Sequence, residues 1–149
     1  MSVIFINKSN EKKYYNYKKD LQHVFDKTVQ YFDLANDTSV SCILVDEPSM
    51  IDYNYTYRNK NQTTDVLTFV DEVEKDYLGD VLINVKAVSQ QAKDYDHSIK
   101  REICFLFVHG LLHTLGFDHH QQEEEAIMIA HQKEILKDVS KRSYRKSNP

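Results

Sequence analysis

The order of apolar and polar positions divides the chain into short strand-like runs and longer helical ones. Val3 to Ile6 predicts a short strand. Glu11 to Leu34 places Tyr14, Tyr17, Leu21, Val24, Phe25 and Phe32 mostly at helical spacing, so a helix is expected there. Ser39 to Val45 is apolar and β-rich, a second strand. Pro48 opens a short helix or loop. Thr64 to Val70 predicts a third strand and Tyr77 to Val85 a fourth. The four acids and one lysine from Asp71 to Asp76 predict a solvated hairpin loop between them. Lys86 to Asp94 predicts a short helix. Ser98 is placed to cap the next helix, which runs through Ile103–Leu115 and stops at Gly116, a natural C′ residue. Gln122 to Asp138 predicts a last amphipathic helix, with Ile127, Ala130, Glu134 and Leu136 flanking its faces.

These elements imply an α/β (α+β) fold, a small four-stranded mixed sheet packed by about five helices. The third and fourth strands pair as a hairpin, and the others join through helical crossovers, so some pairs are parallel. The expected organisation is a single domain over residues 1–140 and a basic, frayed tail over residues 141–149. The length of 149 residues fits one domain, long enough to bury roughly 68–70% of its unfolded surface.

Composition narrows the function. The two cysteines, Cys42 and Cys104, lie far apart in apolar runs. They exclude a disulfide scaffold or a Cys-rich zinc finger and read as buried small hydrophobes in a reducing compartment. The longest apolar run, Ile103 to Val108, is far short of the ~20 residues of a membrane span, and Met1 to Lys13 has no apolar signal core. A cytoplasmic protein with no membrane partner is expected. A net charge of −4 argues against a bulk electrostatic nucleic-acid binder, but a local basic groove remains compatible with it.

Histidine is the unusual residue: of seven, four lie between His109 and His120. His109 and His113 are four apart, which puts both imidazoles on one helix face, one turn apart. Two helical histidines chelate one metal ion at this spacing. Gly116 then lets the chain turn back, so that His119 reaches the same ion. The ligand spacing is that of H-E-x-x-H-x-x-G-x-x-H, with one departure: Gly110 holds the place of the glutamate that serves zinc peptidases as general base. Cys104 lies about 140° from His109 and about 180° from His113 around the helix, on the wrong side to ligate. Three neutral imidazoles suit zinc, and a set of three without thiolates leaves one coordination position open, the catalytic pattern. One Zn2+ per chain is therefore expected. Asp118 has two equal readings, orienting an imidazole or capping the following helix. His120 is expected to be exposed, with a possible role as the third ligand.

The segment from His109 to His119 resembles the signature H-G-x-L-H-L-x-G-x-D-H of the YbeY family, bacterial metal-dependent endoribonucleases that mature ribosomal RNA. Thr114 replaces the second leucine. A second block, Tyr57-Arg58-Asn59-Lys60-Asn61-Gln62-Thr63-Thr64-Asp65-Val66-Leu67-Thr68-Phe69, resembles the family's Y-R-x-K-D-x-P-T-D-V-L-S-F, departing at Asn61, Thr63 and Thr68. Leu78-Gly79-Asp80-Val81, Gln91-Ala92 and His97-Ser98 add to the likeness, which covers roughly residues 57–136. The resemblance implies a small mixed sheet packed by helices, with His109, His113 and His119 as zinc ligands and Arg58 as the basic residue facing the site. It also implies single-strand-specific RNA cleavage in 16S rRNA 3′-end maturation and in ribosome quality control. The partners implied are ribosomal RNA, the small subunit and its assembly factors, with no DNA.

The chemistry of such a role suits Arg58. Phosphodiester cleavage builds charge on the non-bridging oxygens, and a planar guanidinium pairs with two of them. Lys60 adds a point charge. Tyr53, Tyr55 and Tyr57 share a face if their stretch is extended, where they either stack bases or, the preferred reading, pack in the core. The bases Lys137, Lys141, Arg142, Arg145 and Lys146 either touch RNA or are solvated. Two other functions compete with the nuclease: a metallopeptidase, favoured by ligand spacing and disfavoured by Gly110, and a non-catalytic ribosome-assembly factor with a metal-stabilised fold.

Overall fold

The computed structural model of the chain describes the backbone of residues 1–147 and the side chains of residues 1–139. Four strands form one sheet in the order β1-β2-β4-β3: β1 (Ser2–Asn7), β2 (Ser39–Val45), β3 (Val66–Val70) and β4 (Tyr77–Asn84). The β1–β2 and β2–β4 pairs are parallel, and β3 runs antiparallel to β4, with Val66 opposite Ile83. The helices are α1 (Lys18–Tyr31), α2 (Glu47–Arg58), α3 (Val85–Asp94), α4 (Ile99–Thr114) and α5 (Gln122–Ser147). The expected mixed sheet, hairpin, parallel crossovers and helix count are all present.

Period-two alternation sorts the strand residues between two layers. Val40, Cys42, Leu44, Val81 and Ile83 join the main core with α1, α4 and α5. Val45, Leu67 and Leu82 turn the other way and pack with Met50 of α2. Both cysteines are buried, and burial pushes both thiols up, away from the reactive thiolate. Among the described residues, no helix is long and apolar enough to cross a membrane.

Helix ends follow from the residues available. Ser98 caps α4 as expected, its Oγ accepting from the Arg101 amide at 3.1 Å. Asp46 does the same for α2, accepting from Ser49 at 2.9 Å. With only three glycines in the chain, left-handed C-terminal turns fall to other residues: Asp33 after α1, Asn59 after α2 and Asp96 after α3. Short polar side chains tolerate that region best after glycine.

Four sequence expectations need correction. The single helix expected from Glu11 begins instead as a 3-10 turn, Lys12–Tyr17. No side chain caps it, and the fully buried Tyr14 holds it in place by donating to the Val85 carbonyl at 3.2 Å. Residues 53–57 are helical, not extended, and Tyr55 and Tyr57 are exposed rather than packed in the core. Strand β3 starts at Val66, because Thr64 and Asp65 are engaged by Asn84. On α5 the buried stripe is Met128, Gln132, Ile135, Leu136 and Val139, and Ile127 faces outward. The side chains of the expected basic tail from Lys141 lie outside the described residues.

Candidate metal centre

Helix α4 crosses the sheet at close range, and Gly110 makes that possible. A Cβ at position 110 would meet Val81 Cγ1 at 2.5 Å and Thr68 Cγ2 at 3.3 Å. The glutamate of a zinc peptidase therefore has no room here: the position faces the sheet. One residue before it and three after it, His109 and His113 project from the same end of α4, with their Nε2 atoms 3.1 Å apart.

The chain then reverses in a two-bond helix stop. The Gly116 amide donates to the His113 carbonyl at 3.1 Å, and the Phe117 amide to the Leu112 carbonyl at 3.0 Å. Gly116 has φ 97°, a conformation that costs glycine little. Phe117 anchors the returning segment against Phe32 and His131, with ring centroids 5.5 and 4.9 Å away. His119 is thereby brought to the helical pair, its ring centroid 5.5 Å from that of His109 and 5.0 Å from that of His113.

One nitrogen from each of the three rings lies within 4.8 Å of the others, so the cluster can hold one metal ion. The donor set fits zinc: two ligands at ~2.0–2.1 Å in tetrahedral geometry sit roughly 3.3 Å apart, close to the His109–His113 spacing. Protonation also favours it. Burial, then the neighbouring His113, pushes His109 down to about 4. Burial and His119 lower His113 as well. Both rings are held neutral, the form that ligates.

Asp118 does not cap the following helix, and the imidazole it pairs with is that of His120. Its carboxylate accepts from the His119 amide at 2.7 Å and pairs with His120 at 3.1 Å, leaving the ligand rings alone, and α5 starts only at Gln122. His120 is exposed as expected, its side chain 80% accessible.

A cleft of about 470 Å³ opens over the histidines, lined on its far side by Arg58 and Lys60. Arg58 ends α2 and donates through Nη2 to the Thr68 carbonyl of β3 at 3.2 Å, with its side chain otherwise open to solvent. Thr68 thus holds Arg58 through its carbonyl while its methyl group borders Gly110.

Two residues the sequence reading passed over support the cleft: Asn54 lines it, and Asn84 holds Thr63 and Thr64, which line it. Asn54, buried on α2, donates to the Gln62 carbonyl at 2.9 Å. Asn84, fully buried, caps α3 by accepting from the amides of Lys86 and Ala87. Its Nδ2 donates to Thr63 Oγ1 at 3.1 Å and to the Thr64 carbonyl at 3.2 Å. Gln91 completes the tie by donating to Asp65 at 3.2 Å. An asparagine between a strand and a helix is an N-cap signal, legible in principle for Asn84. Nothing in the local pattern marks Asn54.

Comparison with known proteins agrees with this architecture. The profile of the family described as "Endoribonuclease YbeY" matches residues 4–140. A protein of that name from Acholeplasma laidlawii is 41% identical over 129 residues, 85% of this chain and 94% of its own length. One from Mycoplasmopsis pulmonis is 36% identical over 148 residues, 94% of this chain and 98% of its own. A Bacillus cereus relative, again of that name, is 36% identical over 146 residues, 90% and 93% of the two chains. The fold matches that of a Thermotoga maritima protein solved in solution, with TM-score 0.67 and 22% identity over 99% of this chain and 98% of that one. With the histidine cluster, the Gly116 return and the whole length of the sheet accounted for, the chain belongs to the YbeY endoribonuclease family.

Proposed function

We propose that this chain is a zinc-dependent, single-strand-specific endoribonuclease acting in 16S rRNA 3′-end maturation and ribosome quality control in the cytoplasm. Its zinc ligands are His109, His113 and His119, and Arg58 is its basic catalytic residue. The observation that carries the reading is the pairing of a three-imidazole cluster with an exposed guanidinium across one cleft. The names of the relatives point to the same substrate class.

Each group has a definable task. The histidines hold the ion, and burial keeps the His109 and His113 rings neutral, with their lone pairs available. A bound zinc ion supplies Lewis-acid stabilisation of charge on the phosphate or activates the attacking oxygen. Arg58 stabilises the charge that builds on the non-bridging oxygens, and its bond to the Thr68 carbonyl aims the fork into the cleft. Lys60 adds a second positive charge on the phosphate path. The partners of this reading are ribosomal RNA, the small subunit and its assembly factors.

The peptidase alternative lacks a base where that chemistry needs one, because the sheet occupies the space beside Gly110. The test is a side-by-side assay of the zinc-replete protein on single-stranded RNA, duplex RNA and an unfolded protein. Chelator-sensitive cleavage confined to single-stranded RNA is expected. Peptide hydrolysis with RNA left intact would overturn the reading. The product ends then name the nucleophile: a simple terminal phosphate reports water, and a cyclic one reports the RNA 2′-hydroxyl.

A further inference from the structure

A second cavity, of about 230 Å³, lies between α4 and α5 and shares Asp65, His109 and His119 with the metal cleft. Its character is different. Phe105 and Leu106 of α4 and Met128 and Ile129 of α5 give it apolar walls. Asp65, Glu125 and Gln132 also line it; the Gln132 side chain is 5% exposed, and its Nε2 has no hydrogen-bond partner among the described residues. A buried donor left unpaired is costly, so its retention in the wall of a cavity calls for an acceptor. The volume lies below the ~300–1,000 Å³ of pockets for drug-sized ligands and suits a single ring system.

We propose that this cavity receives one nucleobase of a single-stranded RNA, next to the scissile phosphate, with Gln132 donating to an acceptor on the base edge. The inference rests on the endoribonuclease reading and extends it to a base subsite. A nucleotide has an anionic half and a flat, largely apolar half. The two cavities reproduce that division: Arg58 and Lys60 line one, Phe105, Met128 and Ile129 the other, and His109 and His119 stand at the junction. Rotation about the terminal torsion of Gln132, which is broad for an amide, turns its donor to the ring edge. A base that is paired and stacked in a duplex cannot enter, so the same cavity supplies a physical basis for selecting single strands.

The test has a binding arm and a cleavage arm. In the first, metal-free protein at saturating concentration is added to single-stranded RNA carrying 2-aminopurine at successive positions. This base brightens when it leaves the stack of its neighbours. Brightening at one register is expected, and its loss in Ile129→Trp, which fills the cavity from a position 43% exposed and so is compatible with folding. In the second arm, zinc-loaded protein cleaves RNA with an abasic residue at that register. A roughly 10- to 100-fold slower single-turnover rate is expected for wild type. Ile129→Trp and Gln132→Leu should lose most of that discrimination, with zinc content and far-UV circular dichroism unchanged. RNA that is cleaved equally well with or without the base overturns the subsite and leaves the nuclease reading standing. RNA that neither binds nor is cleaved overturns both. Hydrolysis of peptides bearing a large apolar residue, suppressed by Ile129→Trp, assigns the cavity to a peptide side chain and overturns the proposal.

Discussion

Helix α4 has histidines at both ends, and the two groups have opposite fates. At its start, His97 has both ring nitrogens engaged: Arg101 Nε donates to Nδ1 at 3.3 Å, and Nε2 lies 3.1 Å from Glu102 Oε1. Because Nδ1 accepts, the neutral ring carries its proton on Nε2 and donates it to Glu102. Burial and the Arg101 charge lower the His97 pKa and keep the ring neutral. Glu102 is 2% exposed, and burial, helped by the Asp65 charge, pushes it up to about 7. At the other end, His109 and His113 turn their Nε2 atoms toward each other, and among the described residues no carboxylate bonds to any of the three ring systems there. Residue type is the same at both ends. What separates a structural histidine from a metal site is whether protein groups already satisfy the ring nitrogens.

The largest effect should come from His113→Ala. Zinc content is expected to fall from one per chain to near zero, and RNA cleavage to the background rate. His97→Ala should keep its zinc, because its ring pairs with Arg101 and Glu102 and takes no part in the cluster. Elemental analysis of both proteins decides this, and zinc retained by His113→Ala would erase the contrast between the two ends.

Arg58→Ala probes the open end from across the cleft. With bound RNA covering the cleft and excluding water, losing one such donor costs ~2.7–4 kcal/mol, about a hundred- to thousandfold in turnover, with zinc content and fold unchanged. Arg58→Lys should recover only part, since it keeps the charge and loses the fork. Single-turnover cleavage at saturating enzyme separates this from weaker binding. A wild-type rate at saturation would make Arg58 a capture residue.

Gly110→Ala tests the close packing between the two ends. Its new Cβ overlaps Val81 on the sheet, and overpacking of this kind costs about 1–3 kcal/mol. Urea denaturation of metal-free protein measures it. An unchanged midpoint would show that the sheet yields freely, and would reopen the position to larger residues.

The smallest effect is the pH dependence built in by Glu102. Its folded pKa is raised from 4.5 to about 7, so between these values the unfolded chain releases a proton that the folded protein keeps. Stability therefore falls as pH rises through that window. Glu102→Gln keeps an acceptor for His97 and removes the fall, a difference of about 1–2 kcal/mol after relaxation and water penetration. His109 acts in the opposite sense: buried neutral, it makes stability rise as pH climbs from about 4 to 6.5. It does so in both proteins, so the wild-type minus variant difference isolates Glu102. Parallel stability curves would mean that the closed network carries its charge at no cost.

Features set by neighbours in the chain were legible beforehand. Ser98 caps α4 because a hydroxyl just before a helix meets an amide three residues on. The four strands announced themselves through β-branched and aromatic runs, and the β3–β4 hairpin through its acidic loop. Errors arose where local patterns were ambiguous. Tyr53, Tyr55 and Tyr57 alternate as in a strand, yet the Asp46 cap and Pro48 had already started a helix. Ile127 and Met128 are adjacent on α5, and only the packing of α5 on α4 decided which one is buried.

The sequence by itself determined the three-histidine cluster, because its geometry is almost wholly local: one helical turn between His109 and His113, one glycine at the stop, three residues to His119. Tertiary structure decided what surrounds it. Arg58 faces the histidines because Thr68, on a neighbouring strand, holds its guanidinium. Gly110 excludes a glutamate because Val81 lies under α4. Gln132 lines the second cavity because α5 packs back along α4. Each is a contact between different secondary-structure elements. Such contacts follow from how whole helices and strands share one core, and no spacing within a single segment encodes them.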